Sequence, residues 1–383
     1  MFAFSGFNGF GQFGHNRQRS GNAFTDICLK KLMTEQQSTS LIAVSWSYAA
    51  YATENKLVLR GFLSSKPNTT ICVQTAEIIT QLAACDRFCL VLCKNGKLFK
   101  IRPEIEAKLE EVKLEVEVHS FTQKRSIFGE PKSTVNKEEC FIVTHIACGS
   151  NITAAVSATN AVYSVPSKIH QFAKHFRVRQ LICGFEHALL LSANGDIYSW
   201  GNGLYEICFL SLKCSSLVHT YFLYLQISFI AAGGWHSAAI SAFGDLYTWG
   251  FNSNGQLGLR LFKITAAGNI KQPTVFTLPQ IVEIPECKCM QAKDSTMCDE
   301  ITQNEDATGE CLPVRVYAGA RHTLLQMKCG ALCTAGWNAH DQLGIGHKVD
   351  YCDEFRKIES FEGKVAEGSI VCGAWCTVIA KKS

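Results

Sequence analysis

Net charge is what this sequence most clearly lacks. Its 37 Lys and Arg stand against 33 Asp and Glu, so a chain of 383 residues carries only +4 at pH 7. A protein that binds DNA directly and strongly concentrates many more Lys and Arg on one face, so this class is disfavoured. The basic clusters are short, Arg17/Arg19 and Lys30/Lys31. They indicate either a solvated surface or a phosphate contact or import signal.

Signals for secretion and membrane insertion are missing as well. The opening residues, MFAFSGFNGFGQFG, have neither a basic start nor a leucine-rich core, so they are not typical of a signal peptide. The most apolar window, 209–232, is interrupted by Lys213, His219 and several Ser, which argues against a transmembrane helix. We therefore expect no membrane association.

Cysteine, by contrast, is abundant. The 19 Cys are an odd number, and many lie within apolar runs, as Cys89 does. In a large chain this predicts buried, reduced thiols and a cytosolic or nuclear location. Cys287-x-Cys289, followed by Cys298 and Cys311, is the nearest approach to a metal motif. A second ligand pair at zinc-finger spacing does not follow, so we predict no metal site and no cofactor.

Internal repetition is the strongest signal. LICGFEHALLLSANGDIYSWGNG (181–203), IAAGGWHSAAISAFGDLYTWGFN (230–252) and VYAGARHTLLQMKCGALCTAGWN (316–338) align directly. Each has a Gly, a His three positions later, an alternating apolar run, a Gly-containing turn and a second run. Weaker copies fill the same position with other residues, so that the seven positions are Tyr48, Phe88, Ile152, His187, His236, His322 and Cys376. Alternation on both sides of a turn predicts a β-hairpin in each copy, and Asn194-Gly195 is expected to supply the two positive φ angles of a tight turn.

A Gly-punctuated tail follows two of the strong copies, as FNSNGQLG (251–258) and GWNAHDQLG (336–344). The same pattern occurs at SGFNGFGQFG (5–14), where no hairpin precedes it. Residues 370–380 supply only the first half of a repeat. The two halves would complete one blade, and a ring closed in this way removes exposed sheet edges.

We therefore predict an all-β fold, a seven-bladed β-propeller that occupies 1–383 as a single domain. The half-blade 1–14 is expected to pair with 368–380, so that both ends of the sequence complete one blade. An open solenoid has no reason to divide a repeat between its ends, and the ring is favoured for that reason.

The G-x-x-H, D-x-Y-x-W-G and G-Q-L-G elements resemble the regulator of chromosome condensation repeat. The resemblance is strong over 1–14, 41–53, 178–203, 228–258 and 314–346. It implies a propeller that binds partners through loops on one face and across the central channel. Some members of this family are guanine-nucleotide exchange factors for a Ran-like GTPase on chromatin, and others are adaptors.

Three segments depart from the repeat. Residues 103–139 are charged and lack the blade pattern, and 260–313 end in an acidic stretch without Lys or Arg from Asp294 onward. We expect both to be inserted loops, the acidic stretch disordered. In 204–226 the chain has LYEICFLSLKCSSLVHTYFLYLQ where a G-Q-L-G tail is expected. This atypical segment is either part of a blade or the product of an aberrant transcript.

The conspicuous side chains are expected to be structural. His187, His236 and His322 are equivalent positions of different blades, so each is predicted to hydrogen-bond a neighbouring backbone group. The large rings Trp200, Trp249 and Trp337 are predicted to fill the wedges between blades. The tail glycines Gly250, Gly255 and Gly258 are predicted to form the turns of the repeat. G-x-S-x-G, H-E-x-x-H and kinase motifs do not occur, so we predict no catalytic residues and no enzyme.

The resemblance implies a non-catalytic scaffold or adaptor associated with chromatin or the spindle, in the nucleus and on chromosomes, with the cytosol also open. Its expected partners are a JmjC-domain histone lysine demethylase and histones. The alternative function is nucleotide exchange on a Ran-like small GTPase. We expect neither a membrane partner nor strong direct DNA binding.

Overall fold

A computed structural model describes residues 2–14, 24–27, 41–104, 107–115, 142–202, 213–220, 225–265, 268–286, 311–346, 348–359, 361 and 365–381. These residues form strands joined by turns. No helix among them is long and apolar enough to cross a membrane.

The strands form seven four-stranded antiparallel sheets, which are the blades, together with one two-stranded hairpin, over the residues just given. Blades 1 to 3 are β3 (Leu41–Val44), β4 (Tyr48–Thr53), β5 (Lys56–Leu63) and β6 (Lys66–Gln74); β7 (Ile79–Ala84), β8 (Cys89–Cys93), β9 (Leu98–Ile101) and β10 (Glu110–Glu111); and β11 (Val143–Cys148), β12 (Thr153–Ser157), β13 (Ala161–Ser164) and β14 (Ser167–Gln171).

Blades 4 to 6 follow the same order, inner strand first, and blade 5 carries the extra hairpin before its outer strand. They are β15 (Val178–Cys183), β16 (His187–Ser192), β17 (Ile197–Asn202) and β18 (Lys213–Thr220); β19 (Ile227–Ala232), β20 (His236–Ser241), β21 (Leu246–Phe251) and β24 (Val275–Val282), with the hairpin β22 (Phe262–Thr265) and β23 (Gly268–Lys271); and β25 (Pro313–Ala318), β26 (His322–Met327), β27 (Leu332–Trp337) and β28 (Tyr351–Lys357).

Blade 7 is built from both ends of the sequence. Its strands are β29 (Val365–Cys372), β30 (Cys376–Lys381), β1 (Phe2–Gly6) and β2 (Thr25–Ile27), in that order. Strand β1 runs antiparallel to β30, with Phe2 opposite Ala380 and Gly6 opposite Cys376. The predicted all-β, seven-bladed propeller with one shared blade is confirmed.

Apolar residues alternate along the strands so that each blade packs both its faces against neighbours. One buried cluster fills each interface between consecutive blades within the described chain. At the junction of blades 7 and 1, Phe2 and Phe4 meet Tyr51 and Val58. This junction is apolar like the others. In a closed ring every blade has a neighbour on both faces, so the apolar side chains of both faces are removed from water.

The hairpin turns differ from the expected type. Gly195 has φ +89°, but Asn194 is not among the residues with positive φ. The N–H of Ser192 bonds Asp196 O at 2.9 Å and the N–H of Gly195 bonds Ser192 O at 3.1 Å. The loop therefore has three residues with a single left-handed glycine, and the prediction of two positive φ angles is wrong. The extra residue lets the Ser192 hydroxyl accept the N–H of Asp196 at 3.0 Å.

The three atypical segments contribute strands where the structure describes them. Residues 103–139 include the outer strand β10, and 260–313 include the hairpin β22–β23 and the outer strand β24. Strand β18, from the 204–226 segment, pairs with β17 as the fourth strand of blade 4. The remaining parts of these segments, 116–139, 203–212 and 287–310 among them, lie outside the described residues.

Candidate functional site: the mouth of the central channel

Each blade turns from its inner to its second strand through the same four-residue turn. In blade 5 the N–H of Gly233 donates to His236 O at 2.8 Å. The equivalent bonds in the other blades join Ser45 to Tyr48, Cys85 to Phe88, Gly149 to Ile152, Gly184 to His187, Gly319 to His322 and Gly373 to Cys376. The inner strands lie around the axis of the ring, so these turns together form one mouth of the central channel.

The Gly of the G-x-x-H element is required by the His ring itself. A Cβ added to Gly233 would lie 2.1 Å from His236 Cε1 and 2.5 Å from the carbonyl oxygen of Gly319 in the next blade. Gly184 and Gly319 meet their own His rings in the same way. The ring therefore folds back over the glycine, and only a hydrogen fits there.

The three histidines link neighbouring blades through side-chain hydroxyls. His187, His236 and His322 are fully buried. Their Nε2 atoms lie 3.0 Å from Ser237 Oγ, 2.9 Å from Thr323 Oγ1 and 3.1 Å from Thr377 Oγ1, respectively. The partner we expected was a backbone group. A hydroxyl is found instead, because in the next blade the residue directly after the His position points at the ring. These residues are Ser237, Thr323 and Thr377.

The hydroxyl also fixes which ring nitrogen carries the proton. Thr323 Oγ1 donates to Gln256 O at 2.6 Å, so it accepts from His236 Nε2–H. Nδ1 of each histidine is buried without a partner, as a neutral ring protonated on Nε2 allows. Burial lowers the pKa of His187 and His236 to about 3 and that of His322 to about 4. These rings are structural and stay neutral at physiological pH.

The large rings divide into two groups. Trp200 and Trp249 are buried at 1% and 0% exposure and belong to the interfaces on either side of blade 4. Trp337 does not share their position, and the prediction that it fills a wedge is wrong. Ala335 occupies the buried place in β27, and Trp337, two residues later, lies at the channel mouth.

The G-Q-L-G tail is held by its own Asn and Gln. Asn252 Oδ1 accepts the N–H of Leu257 at 3.1 Å, and Gln256 Oε1 accepts the N–H of Asn254 at 2.9 Å. Gly250, Gly255 and Gly258 have φ of +99°, +78° and +70°. Corresponding bonds recur in the other two tails, from the N–H groups of Leu343 and His340 to Asn338 and Gln342, and from those of Phe13 and Phe10 to Asn8 and Gln12.

The turns surround a cavity of about 500 Å³ at the channel mouth. Trp46, Phe185, Trp235, Trp337 and Trp375 line it. Phe185 and Trp235 meet edge to face at 5.1 Å between ring centroids. The residues between Gly and His in each repeat thus converge here, although they are far apart in sequence.

A larger group of rings, which we term the aromatic cluster, joins blades 6, 7 and 1. It consists of Phe7, Phe10, Trp46, Trp337, His340 and Trp375. His340 stacks on Trp375 at 5.3 Å, and Trp46 lies 5.9 Å from the same indole. Trp46 remains 39% exposed. The Arg321 guanidinium lies 6.0 Å from the Trp337 ring, so a cation borders the cluster.

A polar rim continues around blades 2 to 4. Arg87 donates to Ser150 O, and Asn151 Nδ2 donates to Glu186 Oε1 at 2.9 Å. Glu186 also accepts from Asn202. Among the described residues no group of three or more His, Cys, Asp or Glu side chains is placed to hold a metal. Cys287, Cys289 and Cys298 lie outside those residues.

Sequence reasoning did not find the aromatic cluster. The signal was present in the two positions that precede the His position of each repeat, which hold Trp46 in blade 1 and Trp375 in blade 7. Those positions vary from copy to copy, so alignment of the repeats hides them.

The fold and the site define a closed seven-bladed propeller with an aromatic channel mouth. Two family descriptions match the chain, each named Regulator of chromosome condensation (RCC1) repeat, one over 178–205 and 227–256 and the other over 244–292. Over these residues the chain therefore contains repeats similar to the regulator of chromosome condensation repeat.

Two curated proteins are similar to this chain. RCC1 domain-containing protein 1 of Homo sapiens is 32% identical over 216 residues, 54% of this chain and 57% of that protein. The ultraviolet-B receptor UVR8 of Arabidopsis thaliana is 28% identical over 250 residues, 60% of this chain and 49% of the receptor. The chain thus spans about half the length of the curated relatives it matches.

Solved structures share the fold at low identity. Human WBSCR16 matches with a TM-score of 0.67 and 16% identity over the whole of both chains. Yeast RCC1 (Prp20) bound to Kap60 matches with 0.69 and 14% over 100% of this chain and 89% of that one. Prp20p from Saccharomyces cerevisiae, characterised for its binding to Gsp1p and histones, matches with 0.65 and 14% over 100% and 92%.

Proposed function

We propose that this propeller is a non-catalytic adaptor that docks a protein partner at the channel mouth. The observation that carries this proposal is the aromatic cluster around the cavity. Trp and Arg are enriched among residues that dominate binding energy in interfaces, particularly where they border a concave pocket. Trp46 at 39% exposure and Arg321 beside Trp337 fit that description.

The cavity limits what enters it. At about 500 Å³ it accommodates one or two side chains of a partner, while the surrounding turns supply the rest of an interface. The histidines and tail residues beneath the turns are held by hydrogen bonds to other parts of the ring. The turns are thereby held in place before binding, which reduces the entropy lost on association.

For the partner, we propose a JmjC-domain histone lysine demethylase, with attachment to chromatin or the spindle through that partner or through histones. The support is the resemblance to adaptors of the repeat family and the small net charge of +4. Weak net charge favours attachment through proteins over attachment through DNA phosphates.

The second candidate is nucleotide exchange on a Ran-like GTPase. It is favoured by the similarity in fold to Prp20p, which binds Gsp1p and histones. An exchange factor accelerates nucleotide release at sub-stoichiometric concentration, whereas an adaptor leaves release at its intrinsic rate.

The test uses the full chain with a purified demethylase and, separately, a Ran-like GTPase loaded with labelled nucleotide. A stable demethylase complex with unchanged nucleotide release supports the adaptor. Trp46→Ala and Trp375→Ala should each weaken that complex by about 30-fold or more, the effect of losing an interface hot spot. Phe243→Ala is the matched control, since this ring is 73% exposed at the opposite end of blade 5. Rapid release with catalytic amounts of the propeller would establish the exchange factor, and no response in either assay would reject both partners.

A further inference from the structure

A second cavity, of about 770 Å³, lies at the end of blade 6 opposite the channel mouth, and we term it the blade 6 cavity. Strand β26 begins at the mouth with His322 and ends at Met327, and the turn that follows it, 328–330, lines the cavity. Phe361 and Val365, where the chain enters blade 7, line it as well. The cavity is therefore formed where blade 6 meets blade 7.

Three basic side chains line the blade 6 cavity: Arg315 of β25, Lys328 of the turn and Lys357 of β28. Lys328 and Lys357 are exposed. The Arg315 guanidinium lies 5.5 Å from the centroid of the Phe229 ring, a contact that restrains it. Glu359, 3.4 Å from Lys357, is the only acid among the described residues that line the cavity. The cavity therefore carries a net positive charge.

This charge distinguishes blade 6 from blade 5, whose turn has the same backbone hydrogen bonds. The N–H of Met327 donates to Ala331 O at 2.8 Å, as that of Ser241 donates to Asp245 O at 2.9 Å. Ala331 thus replaces Asp245, whose carboxylate Ser241 Oγ holds at 3.0 Å. The three cations, in the order Arg315, Lys328 and Lys357, replace Phe229, Ala242 and Ile281. Blade 5 has one carboxylate and no cation at four positions where blade 6 has three cations and no carboxylate.

The inner wall of the blade 6 cavity is apolar. Met327, Leu332 and Ile358 line it and are only 2%, 2% and 4% exposed. Because this wall has a low dielectric constant, the attraction between the cations and an anion is stronger than on an open surface. The pair between Lys357 and Glu359 is exposed, so it contributes little to stability and an anion with more charge can displace Glu359.

A phosphate monoester is the anion that suits these groups. It carries about two negative charges near neutral pH and offers three acceptor oxygens. Arg binds phosphate through two parallel hydrogen bonds, and Lys binds it as a point charge. The apolar wall beside the cations can pack an aliphatic side chain of the same ligand, which a phosphopeptide has and inorganic phosphate lacks. We propose that the blade 6 cavity binds a phosphorylated Ser or Thr side chain of a protein partner.

This site would make docking depend on phosphorylation of the partner, and it is separate from the channel mouth. Its assay needs neither a demethylase nor a GTPase. Failure of this proposal therefore leaves the proposed function untouched, and failure of the proposed function leaves this site untouched.

The test measures fluorescence anisotropy of a rhodamine-labelled peptide, Ala-Val-Ser-Leu-Ala, with its Ser phosphorylated or not, against the full chain. The phosphorylated peptide should bind at least about tenfold more tightly, the effect of charge-assisted hydrogen bonds. Lys328→Ala places the blade 5 residue in the turn and should weaken binding by about tenfold. Arg356→Gln is the matched control, since Arg356 is exposed next to Lys357 in β28 but does not line the cavity. It should bind like the parent.

Ala331→Asp gives the turn the carboxylate that Asp245 supplies in blade 5, so it is compatible with the fold. It should abolish binding of the phosphorylated peptide while urea unfolding stays like that of the parent. Equal affinity for the two peptides, or a loss in Arg356→Gln as large as in Lys328→Ala, would overturn the proposal. Inorganic phosphate or adenosine monophosphate that displaces the peptide at or below the concentration of unlabelled phosphopeptide needed would overturn it as well, in favour of a small-molecule site.

Discussion

His236 in blade 5 donates its Nε2–H to Thr323 Oγ1 in blade 6 across 2.9 Å, with both side chains fully buried. Thr323 in turn donates to Gln256 O, in the tail of blade 5, at 2.6 Å. One hydroxyl therefore joins the His turn and the Gly-rich tail of one blade to the second strand of the next. The repeat's two sequence signatures are parts of a single inter-blade contact.

Replacing that hydroxyl should weaken the ring. In Thr323→Val both His236 Nε2–H and Gln256 O lose a partner while the side-chain volume is kept. Leaving buried polar groups unpaired costs about 1–3 kcal/mol each, so unfolding free energy measured in urea should fall by at least the lower figure. Thr323→Ser keeps the hydroxyl and should lose no more than about 1 kcal/mol, the value of one buried methyl. Equal losses in the two variants would contradict the hydrogen-bonded role.

Acidification should destabilise the propeller through its buried histidines. Their folded pKa values, about 3 for His187 and His236 and about 4 for His322, lie below the ordinary 6.5. The stabilisation from neutral rings is fully present above pH 6.5 and is lost as pH falls toward the folded values, since the unfolded chain binds protons first. Each histidine contributes a slope of about 1.4 kcal/mol per pH unit in the middle of that window.

The measurement is urea unfolding at pH 7, 5.5 and 4.5. His236→Gln, which keeps an N–H donor, should show a shallower pH dependence than the parent by about one histidine's contribution. If the unfolding free energy of the variant varied with pH as steeply as that of the parent, His236 would have the same pKa in the folded and the unfolded protein.

The glycine before each His should be hard to replace because a Cβ there would meet the His ring as well as the carbonyl oxygen of the next blade's glycine. Gly233→Ala places a Cβ 2.1 Å from His236 Cε1, and overpacking of this kind costs about 1–3 kcal/mol. In a His236→Ala background the ring is absent, so the same Gly233→Ala change should cost at least about 1 kcal/mol less. Additive free energies in this double-mutant cycle would refute the contact.

Deleting residues 2–14 should prevent formation of the ring. The deletion removes β1, which pairs with β30 and β2, together with Phe4 and Phe13, which belong to the buried cluster between blades 7 and 1. Several ladder hydrogen bonds of about 1 kcal/mol each are lost with an apolar interface, a sum comparable with the stability of a domain. We expect an aggregated or unfolded product by light scattering and circular dichroism. Ser5→Ala, which removes only the bond to Asp341 O, should fold, and a truncated chain that melts like the full one would contradict closure by β1.

Strand β18 should be the least protected outer strand among blades 4 to 6. Its sequence lacks the Asn and Gln that hold the tail before β24, as Asn252 and Gln256 do. We expect amide hydrogens of 213–220 to exchange at least tenfold faster than those of 275–282, the equivalent edge strand. Equal protection would mean that blade 4 is anchored as firmly as blade 5.

The sequence by itself determined the fold. Period-two alternation and Gly-containing turns define hairpins locally, and the half-repeats at 5–14 and 370–380 are complementary, so the ring and its closure follow from counting. The same local evidence misjudged two details. Trp337 lies two residues beyond the buried position of its strand, which Ala335 fills, and the loop at Asn194 has three residues instead of two.

Only the tertiary structure decided which residues the repeated positions contact and where the aromatic cluster lies. His187 and Ser237 are 50 residues apart in sequence, and Trp46 and Trp375 lie at opposite ends of the chain yet stand 5.9 Å apart. These pairings depend on the curvature that brings seven blades around one axis. No repeat contains that information alone, because each contact at the channel mouth is made between blades.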